Sequence, residues 1–283
     1  MNQAMERARI LVEALPYIRE FAGKTVVLKC GGRAMTEDNL KQGFAQDVVL
    51  LKAVGLHPVV VHGGGPQIED MLDRLKIDSK KVDGIRVTDE KTMEVVEMVL
   101  GGKVNKEIVS RINLAGGKGI GLSGKDGNML IARPLEKARK DMGAVGEVKE
   151  VNAEFLGPLS RGDLIPVIAP VAVDREGRTY NINADLVASA VASALAAEKL
   201  ILLTDVEGVT DKRGKLISSL HVDKACKMIN EGVIKEGMIP KVNCCVEALK
   251  AGVTKTHIIE GLLIHAVILE IFTDAGIGTE IYR

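Results

Sequence analysis

Two short apolar runs, residues 25–29 (TVVLK) and 58–61 (PVVV), each stop abruptly at glycines, Cys30-Gly31-Gly32 and His62-Gly63-Gly64-Gly65-Pro66. A continuous apolar run of this length is a strand buried on both faces, which requires a parallel sheet with helices above and below. A helical pattern follows each turn, over residues 37–54 with Gly55 as its stop in the first case, and from Pro66 at a first helical position in the second. Such turns present bare backbone N–H groups at helix starts, which are anion sites. Ligands of open α/β sheets bind at the carboxyl ends of strands, so one crevice could serve both turns.

The same alternation recurs along the chain. Residues 164–169 and 200–204 read as strands, joined through an Ala-rich helix over 184–197, and the last third repeats strand, helix and strand down to Tyr282. Thr88, with Asp89 and Glu90 behind it, reads as the start of a helix that Gly101-Gly102 breaks. Residues 116–151 read as short hairpins over one end of the sheet, and residues 6–21 as an amphipathic helix bent at Pro16. The expected fold is a three-layer α/β/α sandwich around a mainly parallel open sheet. Its expected parts are an N-terminal helix (1–21) and two lobes, 22–198 and 199–283.

Composition removes several functions. The 38 basic and 38 acidic residues cancel, aromatic residues are 2% and Trp is absent, which argues against nucleic acid and against an anionic membrane as partners. Cys30, Cys226, Cys244 and Cys245 lack metal-site spacing, and no side-chain metal site is expected. Charges throughout the first twenty residues leave no room there for a signal peptide or membrane span, so a cytoplasmic location is expected. No Walker A loop is present. The Gly-x-Gly-x-x-Gly match at 119–124 runs into Lys125-Asp126-Gly127-Asn128, turn chemistry rather than a helix, so a dinucleotide-dependent dehydrogenase is the weaker rival.

Three further segments carry polar groups at element starts. In Asn181-Ile182-Asn183-Ala184-Asp185, Asn183 suits a helix N-cap and Asp185 its first turn. Gly237-Met238-Ile239-Pro240-Lys241 opens another helix, where Lys241 taken alone is a solvated charge, and Thr204-Asp205-Val206-Glu207-Gly208-Val209 ends a strand. In this order, with the two glycine turns, these segments resemble the amino acid kinase family, whose fold is carbamate kinase-like. Gly84-Ile85-Arg86-Val87-Thr88-Asp89 is similar to the substrate-gripping segment of the branch that acts on N-acetyl-L-glutamate.

The resemblance implies transfer of the γ-phosphate of ATP to a side-chain carboxylate, with Mg2+ held by phosphates and water. It implies Lys29, Lys241 and Asp185 as catalytic residues, and Gly64, Gly65, Arg86 and Asn181 as substrate-binding ones. It places Gly31, Gly32, Thr204, Asp205, Val206, Gly208 and Met238 at the nucleotide. Relatives inhibited by arginine carry a kinked N-terminal helix that joins dimers into a hexamer. Tyr17, His257, Glu270, Gly276 and Gly278 resemble their effector site, and a PII-type signalling protein is a candidate partner. Other kinases of the family, acting on aspartate, glutamate or carbamate, and a non-catalytic arginine sensor are the alternatives.

Overall fold

The computed structural model describes residues 2–82, 84–135 and 141–283. The chain opens with α1 (Asn2–Phe21); β1 (Thr25–Cys30) then leads through a 3-10 turn, Gly32–Met35, into α2 (Asp38–Ala53). β2 (His57–His62) runs into α3 (Gly65–Leu75), and a ribbon of β3 (Lys81–Val82) and β4 (Ile85–Arg86) precedes α4 (Glu90–Glu97). A π-helical turn, Met98–Val104, joins α4 to α5 (Asn105–Leu114). Next come β5 (Gly119–Ser123), β6 (Leu130–Pro134), β7 (Val145–Val151), α6 (Ala153–Arg161), β8 (Ile165–Ala169), β9 (Val171–Val173) and β10 (Thr179–Ile182). The remainder is α7 (Ala184–Ala194), β11 (Lys199–Thr204), β12 (Ser219–His221), α8 (Val222–Asn230), α9 (Met238–Lys250), β13 (Lys255–Glu260), α10 (Ala266–Ile271) and β14 (Thr279–Tyr282).

Eight strands form one sheet in the order β12-β14-β13-β11-β1-β2-β8-β5, parallel except at β13·β14. The apolar runs divide by alternation, as a pleated strand demands. Val26, Leu28, Val60 and Ile201 join the core packed under α2, α5 and α10, whereas Val27, Val59, Val61 and Leu202 join the one under α7 and α9. Helices therefore cover both faces, and the three-layer expectation holds. β6, β7, β9 and β10 form a second, small sheet that closes on itself.

Local readings fail where long-range packing decides. Gly101 and Gly102 do not break the helix: the π turn carries the path through both, because Leu100 and Val104 are buried on the same core as Met93, Val96 and Ile108. That burial outweighs the roughly 1 kcal/mol each glycine costs a helix. Asp89, not Thr88, caps α4, accepting from the N–H of Thr92, while the buried Thr88 hydroxyl donates to Arg86 O. Gly119–Ser123 is no hairpin over the sheet but its edge strand, paired in parallel with β8. Of the hairpins expected over 116–151, residues 136–140 lie outside the described residues. Pro16 lies inside α1 without interrupting it, the end of that helix being held by buried Phe21 and by a Tyr17 hydroxyl bond to Asp274. The first glycine turn reaches α2 only through the 3-10 turn, and Pro66 is the second residue of α3 rather than its first.

Helices from the two halves of the chain meet at Asp47 of α2, which is 1% exposed and reaches the start of α10. Its Oδ1 lies 2.6 Å from His265 Nδ1 and its Oδ2 accepts from Val267 N–H at 3.3 Å. Burial pushes the Asp47 carboxyl up to about 6 against the pull of these donors. A folded-state value above the unfolded 3.8 means that the native state holds this proton more tightly, so stability present below pH 3.8 is lost as pH rises through 6. Asp47→Asn keeps an acceptor but cannot ionise. The melting temperature of the wild type should therefore fall relative to this variant between pH 4 and 7, and a pH-independent difference would refute the assignment.

Candidate active site

β1 is flanked by β2 and β11 in register, Cys30 opposite His62 and Lys29 opposite Leu202, so the carboxyl ends of three strands lie side by side. That register brings the two glycine turns together. A Cβ built on Gly63 would lie 3.5 Å from Gly31 Cα, and one on Gly31 would lie 2.9 Å from Lys29 Nζ. Gly32 has φ +63, and a Cβ there would meet Asp205 Oδ1 at 2.7 Å, so the turn after β1 abuts the segment that leaves β11. Both features make any side chain at Gly32 strained unless Asp205 shifts.

Opposite these turns, Asn183 caps α7 by accepting from the Asp185 N–H at 2.8 Å, which fixes Asp185 in the first turn. Asp185 Oδ1 lies 2.9 Å from Lys29 Nζ, and its Oδ2 accepts from Lys241 Nζ at 2.7 Å. Lys29 comes from β1 and Lys241 from the first turn of α9, which packs along α7, where Ser189 Oγ donates to Cys244 O at 3.0 Å. The Lys241 side chain is only 20% exposed, so it is not the solvated charge its local sequence suggests. Burial pushes the Asp185 carboxyl up, but the two ammonium groups outweigh it and hold it below the usual carboxylate range. One buried anion thus gathers two cations, and the trio carries a net positive charge.

Of the expected substrate residues, Arg86 and Asn181 meet at a cavity of about 140 Å³ that Gly146 and Leu186 also help to line, whereas Gly64 and Gly65 do not line it. The Arg86 guanidinium is buried and hydrogen-bonded to Glu69 and to the Ser79 hydroxyl, and Asn181 Nδ2 donates to Thr88 Oγ1 at 3.1 Å. Hydrogen bonds from Arg86, then from Lys81, hold the Glu69 carboxyl below its ordinary value. Sequence reasoning missed Glu69 and Ser79, whose spacing from Arg86 carries no pattern. Gly64 and Gly65 begin α3, and a Cβ on Gly64 would strike Leu100 Cδ2 at 2.5 Å.

On the nucleotide side, Thr204 ends β11 with its carbonyl accepting from Gly261 N–H at 2.8 Å, Val206 is exposed, and Met238 opens α9. A Cβ on Gly208 would meet Thr279 Oγ1 at 2.6 Å, the hydroxyl that accepts from Val209 N–H. Among the described residues, no three Asp, Glu, His or Cys side chains converge as metal ligands.

The expected effector residues converge elsewhere, on a cavity of about 550 Å³ lined by Tyr17, Lys199, His257, Glu270, Gly276 and Glu280 among others. His257 Nδ1 lies 2.6 Å from Glu270 Oε1 and its Nε2 lies 3.2 Å from Lys199 Nζ. Burial lowers the His257 pKa, leaving a neutral ring that donates to Glu270 and accepts from Lys199. Glu270 Oε2 accepts from the N–H groups of Ile277 and Gly278 at 2.7 and 3.3 Å. Gly278 makes that contact but does not line the cavity.

The model of the amino acid kinase family matches residues 24–260. The chain is 56% identical to the acetylglutamate kinase of Geobacter sulfurreducens, over 100% of both chains. It is 58% identical to that of Syntrophus aciditrophicus, over 99% of this chain and 98% of the other. Among solved structures, N-acetylglutamate synthase from Neisseria gonorrhoeae complexed with coenzyme A and N-acetyl-glutamate superposes with a TM-score of 0.88 at 26% identity, over 98% of this chain. The same synthase complexed with coenzyme A and L-arginine gives 0.83 at 25% identity, over 97% of this chain. The chain spans 63% and 65% of the length of those synthase chains. The likeness runs through the whole sequence and not through the glycine turns alone, and the chain belongs to the amino acid kinase family.

Proposed function

We propose that the protein transfers the γ-phosphoryl group of Mg-ATP to the side-chain carboxylate of N-acetyl-L-glutamate, giving an acyl phosphate and ADP. The observation that carries this reading is the Asp185 carboxylate held between Lys29 and Lys241. Full-length likeness to acetylglutamate kinases supports the choice of substrate. A carboxylic acid of reference pKa ~4.3 is ionised at neutral pH, so its attack needs no general base. The obstacle is repulsion between two anions, which calls for positioning and positive charge.

Lys29 and Lys241 flank the phosphoryl group in flight, one from each lobe of the chain (22–198 and 199–283), and Asp185 sets their spacing. Gly32, Gly64 and Gly65 offer backbone N–H groups to phosphate and substrate oxygens. Gly31, Thr204, Asp205, Val206, Gly208 and Met238 border the nucleotide. Mg2+ arrives with ATP and stays on its phosphates and water. Arg86 takes the substrate α-carboxylate with its planar fork, in exchange for or beside Glu69, and Asn181 bonds the same end.

A second reading concerns control. The cavity at Tyr17, His257, Glu270 and Gly276 has room for a free amino acid, and Lys199, Glu270 and Glu280 are among the residues that line it. The synthase of similar fold is known with L-arginine, which supports arginine as an inhibitor here. α1 exposes Met5, Leu11, Val12 and Leu15 on one face, with Ile10 to one side of it, an apolar surface suited to joining dimers into a hexamer.

Release of ADP, coupled to NADH oxidation and compared across acetylglutamate, glutamate, aspartate, carbamate and UMP, tests the reaction. Acetylglutamate should be strongly preferred. Lys241→Ala should lower kcat at least ~10²-fold, the scale of losing one charge stabiliser, and an unchanged kcat would remove Lys241 from the mechanism. Arg86→Lys should chiefly raise KM for acetylglutamate, whereas a fall in kcat alone would contradict its binding role. Deleting residues 1–20 should turn hexamers into dimers by light scattering and blunt arginine inhibition; hexamers that persist would exclude α1 as the joint.

A further inference from the structure

Beneath the second glycine turn lies a buried polar network to which the phosphoryl-transfer reading gives no role. His62 closes β2 and is wholly buried. Its Nδ1 is 2.8 Å from Gly63 O, and its Nε2 is 3.2 Å from Nδ2 of the equally buried Asn105. Asn105 Nδ2 also donates to Val167 O at 2.9 Å, and Lys106 Nζ donates to Asn105 Oδ1 at 3.2 Å, so the amide cannot be turned over without losing both bonds. Leu122 O also lies 3.4 Å from Asn105 Nδ2, so it is the Gly63 carbonyl, which only accepts, that sets the ring: Nδ1 carries the proton, and Nε2 is left bare to accept from Nδ2. Burial, helped by the charge of Lys106, lowers the imidazole pKa to about 4, which keeps this neutral tautomer in place at physiological pH.

Asn105 stands at the end of the π-helical turn, a feature that recurs at functional sites. The same turn presses Leu100 and Val104 onto Gly64. Gly63 is tied at both ends of its backbone, its N–H donating to Cys30 O at 2.8 Å and its carbonyl facing His62. In a trans peptide the carbonyl and the next N–H point opposite ways, and no cis bond occurs among the described residues. A Gly63 carbonyl turned inward to the imidazole therefore turns the Gly64 N–H outward, and at a helix start that N–H has no intrahelical acceptor.

We propose that His62, oriented by Asn105, is a positioning residue that fixes the Gly63–Gly64 peptide plane and so aims the Gly64 N–H at the oxygens of the reacting groups. The inference rests on the kinase reading of the glycine turn. Without the imidazole, the Gly63 carbonyl loses its partner while Gly64 O keeps its bond from Ile68 N–H, so the Gly63–Gly64 peptide plane is freed to tilt from its catalytic setting. His62→Leu removes the donor, whereas His62→Asn places an amide nitrogen near the position of Nδ1.

The test measures steady-state kinetics of the wild type and both variants, and the nitrogen shifts of the wild-type His62 ring by NMR between pH 6 and 9. The Leu variant should lose at least ~10-fold in kcat with KM for ATP within about 2-fold, and the Asn variant should keep kcat within about 3-fold of wild type. The ring should show a protonated Nδ1 and a bare Nε2 throughout. Wild-type kcat in the Leu variant, equal losses in both variants, or a proton on Nε2 would each overturn the proposal. If the Leu variant does not fold, the Asn variant and the ring tautomer still decide. Failure of the kinase reading looks different, because the wild type itself would then release no ADP in response to acetylglutamate.

Discussion

The arrangement of the site depends on one carboxylate that burial alone would protonate. Asp185 remains ionised because Lys29 and Lys241 stand at its two oxygens, and they in turn are held close together only because it lies between them. Removing Asp185 leaves two ammonium groups facing each other in a largely desolvated place, which costs several kcal/mol. The three residues come from a strand and two helix starts far apart in sequence, so the trio also fixes how α7 and α9 sit on the sheet. In the proposed reaction, a phosphoryl group entering between the lysines would find their geometry already set, with no reorganisation required when charge develops.

Much of this was readable in the sequence because local chemistry and global fold agree. The runs at Thr25 and Pro58 are apolar on both faces, and each core takes alternate residues of them. Asn183 caps its helix as its residue type suggests. The failures share one cause, which is that a distant partner decides. Gly101-Gly102 has the composition of a helix end, yet the burial of Leu100 and Val104 holds it in a π turn. Lys241 has the look of a surface charge until Asp185, 56 residues away, is placed beside it. Glu69 and Ser79 were invisible as partners of Arg86, since nothing about their spacing marks a guanidinium site. The Gly-x-Gly-x-x-Gly match fails as the sequence suggested, because β5 is followed there by a short 3-10 turn, Asp126–Asn128, and not by an α-helix.

The same economy of charge recurs at the second cavity. Lys199, a neutral His257 and Glu270 form a chain that ends on the backbone N–H groups of Ile277 and Gly278, so the segment before β14 is fastened to β11 and β13. β11 also carries Thr204 into the candidate nucleotide side at its other end. A ligand that rearranged this chain would act on a strand shared with the active site, the kind of contiguous packed element through which sites can be coupled. Cys30, Cys244 and Cys245 are buried, and burial raises their thiol pKa values.

The central claim is that both ammonium groups converge on the phosphoryl group as it passes between its two oxygens. A crystal structure with MgADP, aluminium fluoride and acetylglutamate measures this directly. The account predicts Lys29 Nζ and Lys241 Nζ each within hydrogen-bond reach of the fluorides, with Asp185 still touching both. A planar fluoride contacted by neither lysine, with the pair still closed on Asp185 alone, would contradict it.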